Sequence, residues 1–187
     1  MSFVWQGQNL GLFDHPYNQT STNERAVEIP AALAFLTGCQ GRGLEVGNVL
    51  GHYDIGGHDV VDLYEHAPGV RNIDVFDITG TWDWIVSIST LEHVGWDTHP
   101  RDPHAAVRAV GHLWSLLADG GRMFVSIPLG YHPLVDHTIA SGGFVPSEDA
   151  VYVRGADGAW DRQSRTTWRP YQGQHADAVW IATWGTS

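Results

Sequence analysis

Three acidic residues and a glycine turn carry the chemistry legible in this chain. Glu45 and Gly47 stand at the end of one short apolar run, Asp62 at the end of the next, and Asp77 at the end of a third, with Asp74 as its near alternative. In a parallel α/β sheet, ligands bind beyond the carboxyl ends of the strands. A glycine at such an end lets backbone approach a ligand where a Cβ would clash. A carboxylate at the second strand end can accept from both hydroxyls of a ribose, and one at the third can meet an adenine edge. Three acids on successive strand tips suit a neutral or cationic nucleoside and oppose a pyrophosphate.

The elements that must position these residues are readable from periodicity and punctuation. Residues 1–20 read as an extended lead-in. From Asn23 the pattern turns helical, with Val27, Ile29, Leu33 and Leu36 as its apolar face and Gly38 as its stop;. Pro30 should kink that helix or start a second one. Strands are expected at Gly43–Val46, Asp59–Leu63, Ile73–Phe76 and Trp84–Ser89, and their nearly continuous apolar character suits a parallel sheet buried on both faces;. A helix capped by Asp102, with Pro103 in its first position, follows along Val107, Val110, Trp114 and Leu117;. Asp119-Gly120-Gly121 ends it before a fifth strand at Arg122–Ile127;.

Beyond Gly130 the segment Tyr131–Ser147 reads as an ordered loop or lid. Ala150–Val153 and Ala178–Ala182 read as strands, with a turn at Gly155–Gly158. The fold class expected is therefore α/β, a doubly wound and mostly parallel sheet with an antiparallel C-terminal strand pair. Residues 1–187 form one domain in this reading: a lead-in and helix to residue 40, a ligand-binding core over 41–130, and an acceptor-side loop with C-terminal strands over 131–187.

Composition narrows the function classes. The chain has 187 residues, enough for one substantial core, and 10 basic against 21 acidic residues give a net charge of −11;. Such a chain repels phosphate backbones and anionic membrane surfaces, so neither nucleic acid nor membrane is expected as a partner. The lone cysteine, Cys39, and the lack of an apolar leader after Met1 point to a reducing, cytoplasmic setting;. Nine tryptophans are unusual. Trp82, Trp84 and Trp96 either wall a ligand pocket or pack the core. His52, His58 and His66 lack metal-site spacing, and His132, Asp136 and His137 form one weak cluster, so no metal is expected.

The turn itself distinguishes cofactors. Dinucleotide sites use a close glycine triplet opening a helix toward the pyrophosphate. Here Val49 replaces the middle glycine, only Gly47 and Gly51 remain, and Glu45 would lie near the phosphates. A sulfonium nucleoside, positive and free of phosphate, fits better. At these residues the chain resembles the class I S-adenosylmethionine-dependent methyltransferases. The matching segments are Leu44–Gly51, Val61-Asp62, Asn72–Asp77, Ser87–Val94 and Leu116–Met123, which together span most of a minimal catalytic core.

That resemblance implies S-adenosylmethionine as cofactor and assigns roles. Glu45 and Gly47 would contact its methionine portion, Asp62 would hold its ribose and Asp77 would face its adenine, with Asn48 and Gly51 also among the cofactor-binding residues. Thr90, Leu91 and Glu92 would line it from the fourth strand end. His93 would point to the acceptor as a general base, with His132 behind it. The implied reaction is methyl transfer to a small molecule, an oxygen of a sugar or secondary metabolite being the expected acceptor. A catalytically silent nucleoside- or protein-binding module of the same fold is the alternative, and a homodimer stays open.

Overall fold

The structure, a computed structural model, describes residues 1–173 and 175–185. Its opening segment is not an extended lead-in. β1 (Ser2–Trp5) and β2 (Gln8–Gly11) form an antiparallel hairpin, followed by a 3-10 turn at Tyr17–Thr22. Strand alternation explains it: Phe3 and Trp5 are buried while Ser2 and Val4 face solvent;. Four residues gave too short a pattern to stand out among the surrounding glycines and asparagines.

α1 (Arg25–Thr37) runs unbroken through Pro30 and stops at Gly38. Proline has no amide to give to the Ala26 carbonyl one turn back. That carbonyl accepts instead from the Phe13 amide at 2.9 Å, so the gap in the helix becomes a stitch to the preceding segment. The buried face runs through Ala26, Val27, Ile29, Ala31, Ala32 and Phe35; Leu33 and Leu36 only flank it.

The sheet follows. β3 (Gly43–Val46), β4 (Asp59–Val61), β5 (Val70–Arg71), β6 (Trp82–Ile88) and β7 (Leu117–Pro128) are mutually parallel. α2 (Ala105–Ser115) joins β6 to β7, and α3 (Pro133–Ala140) follows β7. β8 (Glu148–Arg154), β9 (Trp160–Gln163) and β10 (Ala178–Gly185) complete eight strands in the order β5-β4-β3-β6-β7-β10-β8-β9. β10 is antiparallel to both β7 and β8, and β9 to β8. The antiparallel end is thus a set of three strands rather than a pair.

Three expectations are corrected here. The third strand is Val70–Arg71, not Ile73–Phe76; the later stretch forms a 3-10 turn at Val75–Asp77, capped by Asp74 accepting from the Phe76 amide. The Tyr131–Ser147 segment contains α3, whose Val135 and Ile139 are buried in the core with Phe144, so it is scaffold rather than lid. Asp102 does accept from the His104 amide at 3.0 Å, but the helix begins at Ala105 and buries Ala106, Ala109, Val110 and Leu113, leaving Trp114 part exposed.

Alternation along the central strands divides the core. Trp84, Val86 and Ile88 of β6, Phe124 of β7, and Val179 and Ile181 of β10 pack under α1 and the hairpin. Ile85, Met123, Val125, Ile127 and Trp180 pack under α2 and α3. Each fully buried side chain of this kind contributes roughly 1.5–3 kcal/mol. Trp82 is wholly buried and Trp84 nearly so, which settles both as core. Among the described residues no helix is long and apolar enough to cross a membrane.

Candidate active site

A parallel sheet directs its strand ends to one side, and a cavity of about 340 Å³ opens there beyond β3, β4 and β6. Of the residues singled out from sequence, Gly47, Asn48, Asp62, Thr90 and His93 line it. Glu45, Gly51, Asp77, Leu91, Glu92 and His132 do not. Asp74, the alternative to Asp77, lines it, and so do Tyr17, Arg25, Glu65 and Ser89, which went unassigned by the sequence reading.

The floor is built from backbone. Gly47 has φ +88°, and a Cβ there would come within 2.0 Å of Thr90 Oγ1. Its amide donates to the Val61 carbonyl at 2.8 Å, joining the first turn to the second strand. Glu45 shapes this turn from behind. Its fully buried carboxylate accepts from the Val49 and Leu50 amides at 2.9 and 2.7 Å and lies 2.9 Å from His58 Nε2. Those partners hold it beneath the turn, fully buried and outside the cavity lining, where it shapes the Val49–Leu50 backbone. Gly51 is exposed and faces away; a Cβ there would crowd only Asn48.

Asp62 stands where the sequence placed it. Its Oδ1 accepts from the Tyr64 and Glu65 amides at 2.8 Å each, and Oδ2 accepts from the Asn48 amide at 3.2 Å. The long last bond leaves Oδ2 capacity for a ligand hydroxyl. Glu65 stands beside it, accepting from Asn48 Nδ2 at 2.5 Å and lying 3.1 Å from His52 Nε2. At the third tip Asp74 lines the cavity with Ile73 and Val75, whereas Asp77 is exposed on the far side of the 3-10 turn. The exchange follows from β5 ending at Arg71 instead of Phe76, which puts Asp74 nearer the strand tip. Leu91 is fully buried core.

At the other end of the cavity the chemistry passes to side chains. Ser89, held at φ +42°, donates to Glu28 Oε1 at 2.6 Å, and Glu28 pairs with Arg25. Among the described residues Arg25 is the one arginine or lysine lining the cavity. Burial opposes its charge, but Glu28 and Glu24 outweigh that and hold the guanidinium more firmly protonated than usual. Burial, reinforced by Glu28, pushes Glu24 up to about 7. Burial also pushes Glu92 well above the ordinary carboxylate range; it is 1% exposed and its Oε2 has no partner.

His93 is 43% exposed at the cavity rim, with Nδ1 2.6 Å from Asp97 Oδ2 and Nε2 3.5 Å from Glu92 Oε1. Tyr131 donates its hydroxyl to Asp97 at 2.7 Å. Burial works against ionised Asp97, yet the Tyr131 and His93 hydrogen bonds prevail and lower it. His132, the second base candidate, is 1% exposed, accepts from the Val135 amide at the start of α3 and packs on Trp96 at 4.5 Å. Burial lowers its affinity for a proton. It is a helix cap, away from the cavity.

No family model matches the chain, and no curated protein does. Solved structures do match. The N-methyltransferase NodS from Bradyrhizobium japonicum WM9 superposes with a TM-score of 0.54 at 13% identity, covering 87% of this chain and 96% of NodS. Its complex with S-adenosyl-L-homocysteine gives 0.50 at 15%, covering 82% of each. The Burkholderia thailandensis 1,6-didemethyltoxoflavin-N1-methyltransferase, with 1,6-didemethyltoxoflavin and S-adenosylhomocysteine bound, gives 0.50 at 12%, covering 99% of this chain and 98% of that one. The chain has the class I methyltransferase fold.

Proposed function

We propose that this chain is an S-adenosylmethionine-dependent methyltransferase acting on a small-molecule acceptor in the cytoplasm, with an oxygen of a sugar or secondary metabolite as the methylated atom. One observation carries the reading. The cavity combines a backbone floor that only glycine at position 47 allows with Asp62 and Asp74 on the next two strand tips. Such a site offers close approach and hydroxyl or amine recognition without an anion cradle. The solved relatives hold S-adenosylhomocysteine in the same fold, alone in one and beside an acceptor in another.

In this reading Asp62 holds the ribose and Asp74 the adenine edge. Gly47, Asn48 and Thr90 line the amino-acid tail, and Arg25 meets its carboxylate. The cofactor, when bound, supplies a methyl group already activated by its sulfonium charge. The protein's task is then to orient the acceptor, exclude water and take the acceptor's proton. His93 is the rim side chain for that proton: its Nδ1 is engaged by Asp97, and its Nε2 makes no contact closer than the 3.5 Å to Glu92 among the described residues.

Titration calorimetry with S-adenosylmethionine, S-adenosylhomocysteine and NAD tests the assignment. Binding of the first two and none of the third is expected. Heat with NAD alone, or with none of them, would overturn it. Screening acceptors with the loaded protein then separates an enzyme from a silent binder.

A further inference from the structure

His93 does not stand alone at the rim. It begins a chain of three polar side chains drawn from two strand ends. His93 and Asp97 follow β6, in a tight turn closed by the Trp96 and Asp97 amides donating to the His93 carbonyl at 3.1 and 3.2 Å. Tyr131 follows β7. Its hydroxyl lies 2.7 and 2.8 Å from the two Asp97 oxygens. Its ring packs against the imidazole at 4.6 Å and is backed edge-on by Tyr171 at 5.0 Å.

An exposed His–Asp pair is ordinarily a weak surface contact. Here a third group fixes the carboxylate from the opposite side, and an aromatic ring fixes the imidazole plane. We propose that Asp97, clamped by Tyr131, is a positioning residue that holds His93 with its proton on Nδ1 and its lone pair on Nε2, so that Nε2 is the atom that accepts the acceptor's proton. The inference rests on the methyl-transfer reading of the cavity.

The physical argument runs through donor and acceptor capacity. An ionised carboxylate only accepts, so the Nδ1 atom 2.6 Å from Asp97 must carry the hydrogen;. In a neutral imidazole the other nitrogen then has the lone pair. The proton step balances simply. The acceptor's O–H bond breaks, an N–H bond forms at Nε2, and the electron pair stays on oxygen to attack. The resulting imidazolium lies between Asp97 and Glu92, the latter 3.5 Å from Nε2. Arg101, which lies over Trp96 at 4.5 Å and lowers Asp97, His132, which packs on the same Trp96 and interacts with Asp97, and the hydroxyls of Tyr131 and Tyr171 are further titratable groups around this turn. Neither Asp97 nor Tyr131 lines the cavity, so both act through His93.

The test is the tautomer itself. Two-bond proton–nitrogen correlation spectra of the imidazoles are recorded at neutral pH on the free and the S-adenosylhomocysteine-loaded protein, with His93→Gln to assign the resonance. His93 is expected in the Nδ1–H form. Asp97→Asn, whose amide can donate to Nδ1, should move the proton to Nε2. Asp97→Glu should restore the original form, and Tyr131→Phe should give a mixture. S-adenosylhomocysteine affinity should stay within about twofold in the Asp97 and Tyr131 variants. An Nε2–H form in the parent chain, or a tautomer unmoved by Asp97→Asn, would overturn the proposal. Loss of cofactor binding in the parent chain would overturn the cavity reading instead, since the tautomer is measurable without it.

Discussion

The two ends of the cavity are built on opposite plans. Beneath the β3, β4 and β5 tips, carboxylates shape the backbone. Glu45 holds the Val49 and Leu50 amides, Asp62 holds those of Asn48, Tyr64 and Glu65, and Asp74 holds that of Phe76. Behind the opposite wall, near Arg25 and His93, the polar groups have capacity left over: Glu92 Oε2 is buried with no partner among the described residues, and Glu24 and Glu92 are pushed above their ordinary range. A shape made of backbone is satisfied before any ligand arrives. A set of side chains displaced from their ordinary protonation keeps energy that a reaction can draw on. In the proposed function the first end holds the cofactor and the second faces the acceptor.

The sharpest way to break this contrast is to remove two acids of the first end and compare. Glu45→Ala strips a buried carboxylate from two amides and from His58, and should cost about 3–5 kcal/mol of stability, as for other buried pairs broken from one side. Asp62→Ala loses three bonds to loop amides at a half-buried turn and should cost about 1–2 kcal/mol;. Its binding loss is the larger effect, roughly 100-fold for S-adenosylhomocysteine if a charged acceptor to two hydroxyls disappears. Urea unfolding and calorimetry on both variants read the two quantities separately. Equal stability losses, or a larger binding loss in a folded Glu45→Ala, would return Glu45 to the ligand-contact role that its sequence position suggested.

The burial of Glu45 beneath the turn shows what a sequence carries and what it does not. The Glu45-to-Gly51 spacing placed the turn, the strand before it and Gly47 correctly, because glycine freedom and apolar run length are local properties. Where the Glu45 side chain points depends on strand parity and on His58, 13 positions away in the chain. Neither is local. The strand at Val70–Arg71 was missed for a related reason. An edge strand of two residues has no periodicity, and its register is secured by Asn72, whose side chain donates to the Asp62 and Glu65 carbonyls. The central strands, each buried on both faces, left long apolar runs and were legible. The Pro30 helix was misjudged because the bond replacing its missing amide comes from Phe13, outside the helix.

The second end is tested by pH. Glu24 rises from 4.5 to about 7 in the folded chain, chiefly by burial and then by Glu28. Below pH 4.5 folded and unfolded chains both hold this proton, and the stabilisation from the raised affinity is fully present. Between 4.5 and about 7 the folded chain keeps a proton that the unfolded chain releases, so stability falls as pH rises;. Above that window both forms are ionised and the contribution is gone, a loss on the order of 2–3 kcal/mol. Glu24→Gln, which can still accept from the Ala176 amide, should flatten part of this slope; Glu92 and Asp136, the latter pushed up to about 6 by burial, add in the same direction, and His132, whose proton affinity burial lowers, opposes them. Urea midpoints at pH 5 and pH 7.5 measure it. A parent chain whose stability rises across that interval would mean the second end holds no such strained protonation.

The smallest effect sharpens the border of the first end. Asp74 and Asp77 lie on one 3-10 turn, but only Asp74 lines the cavity. Asp74→Asn keeps an oxygen to cap the Phe76 amide while removing the charge, so the fold is spared and only ligand recognition changes. A hydrogen bond from an adenine amine to a neutral rather than charged acceptor is weaker by about 1 kcal/mol, close to a fivefold loss of S-adenosylhomocysteine affinity. Asp77→Asn, exposed on the other side, should leave affinity unchanged. The reverse result would put the third strand back where the apolar pattern of Ile73–Phe76 suggested, and would place the adenine on the α2 side of the turn, where Phe76 packs near His112.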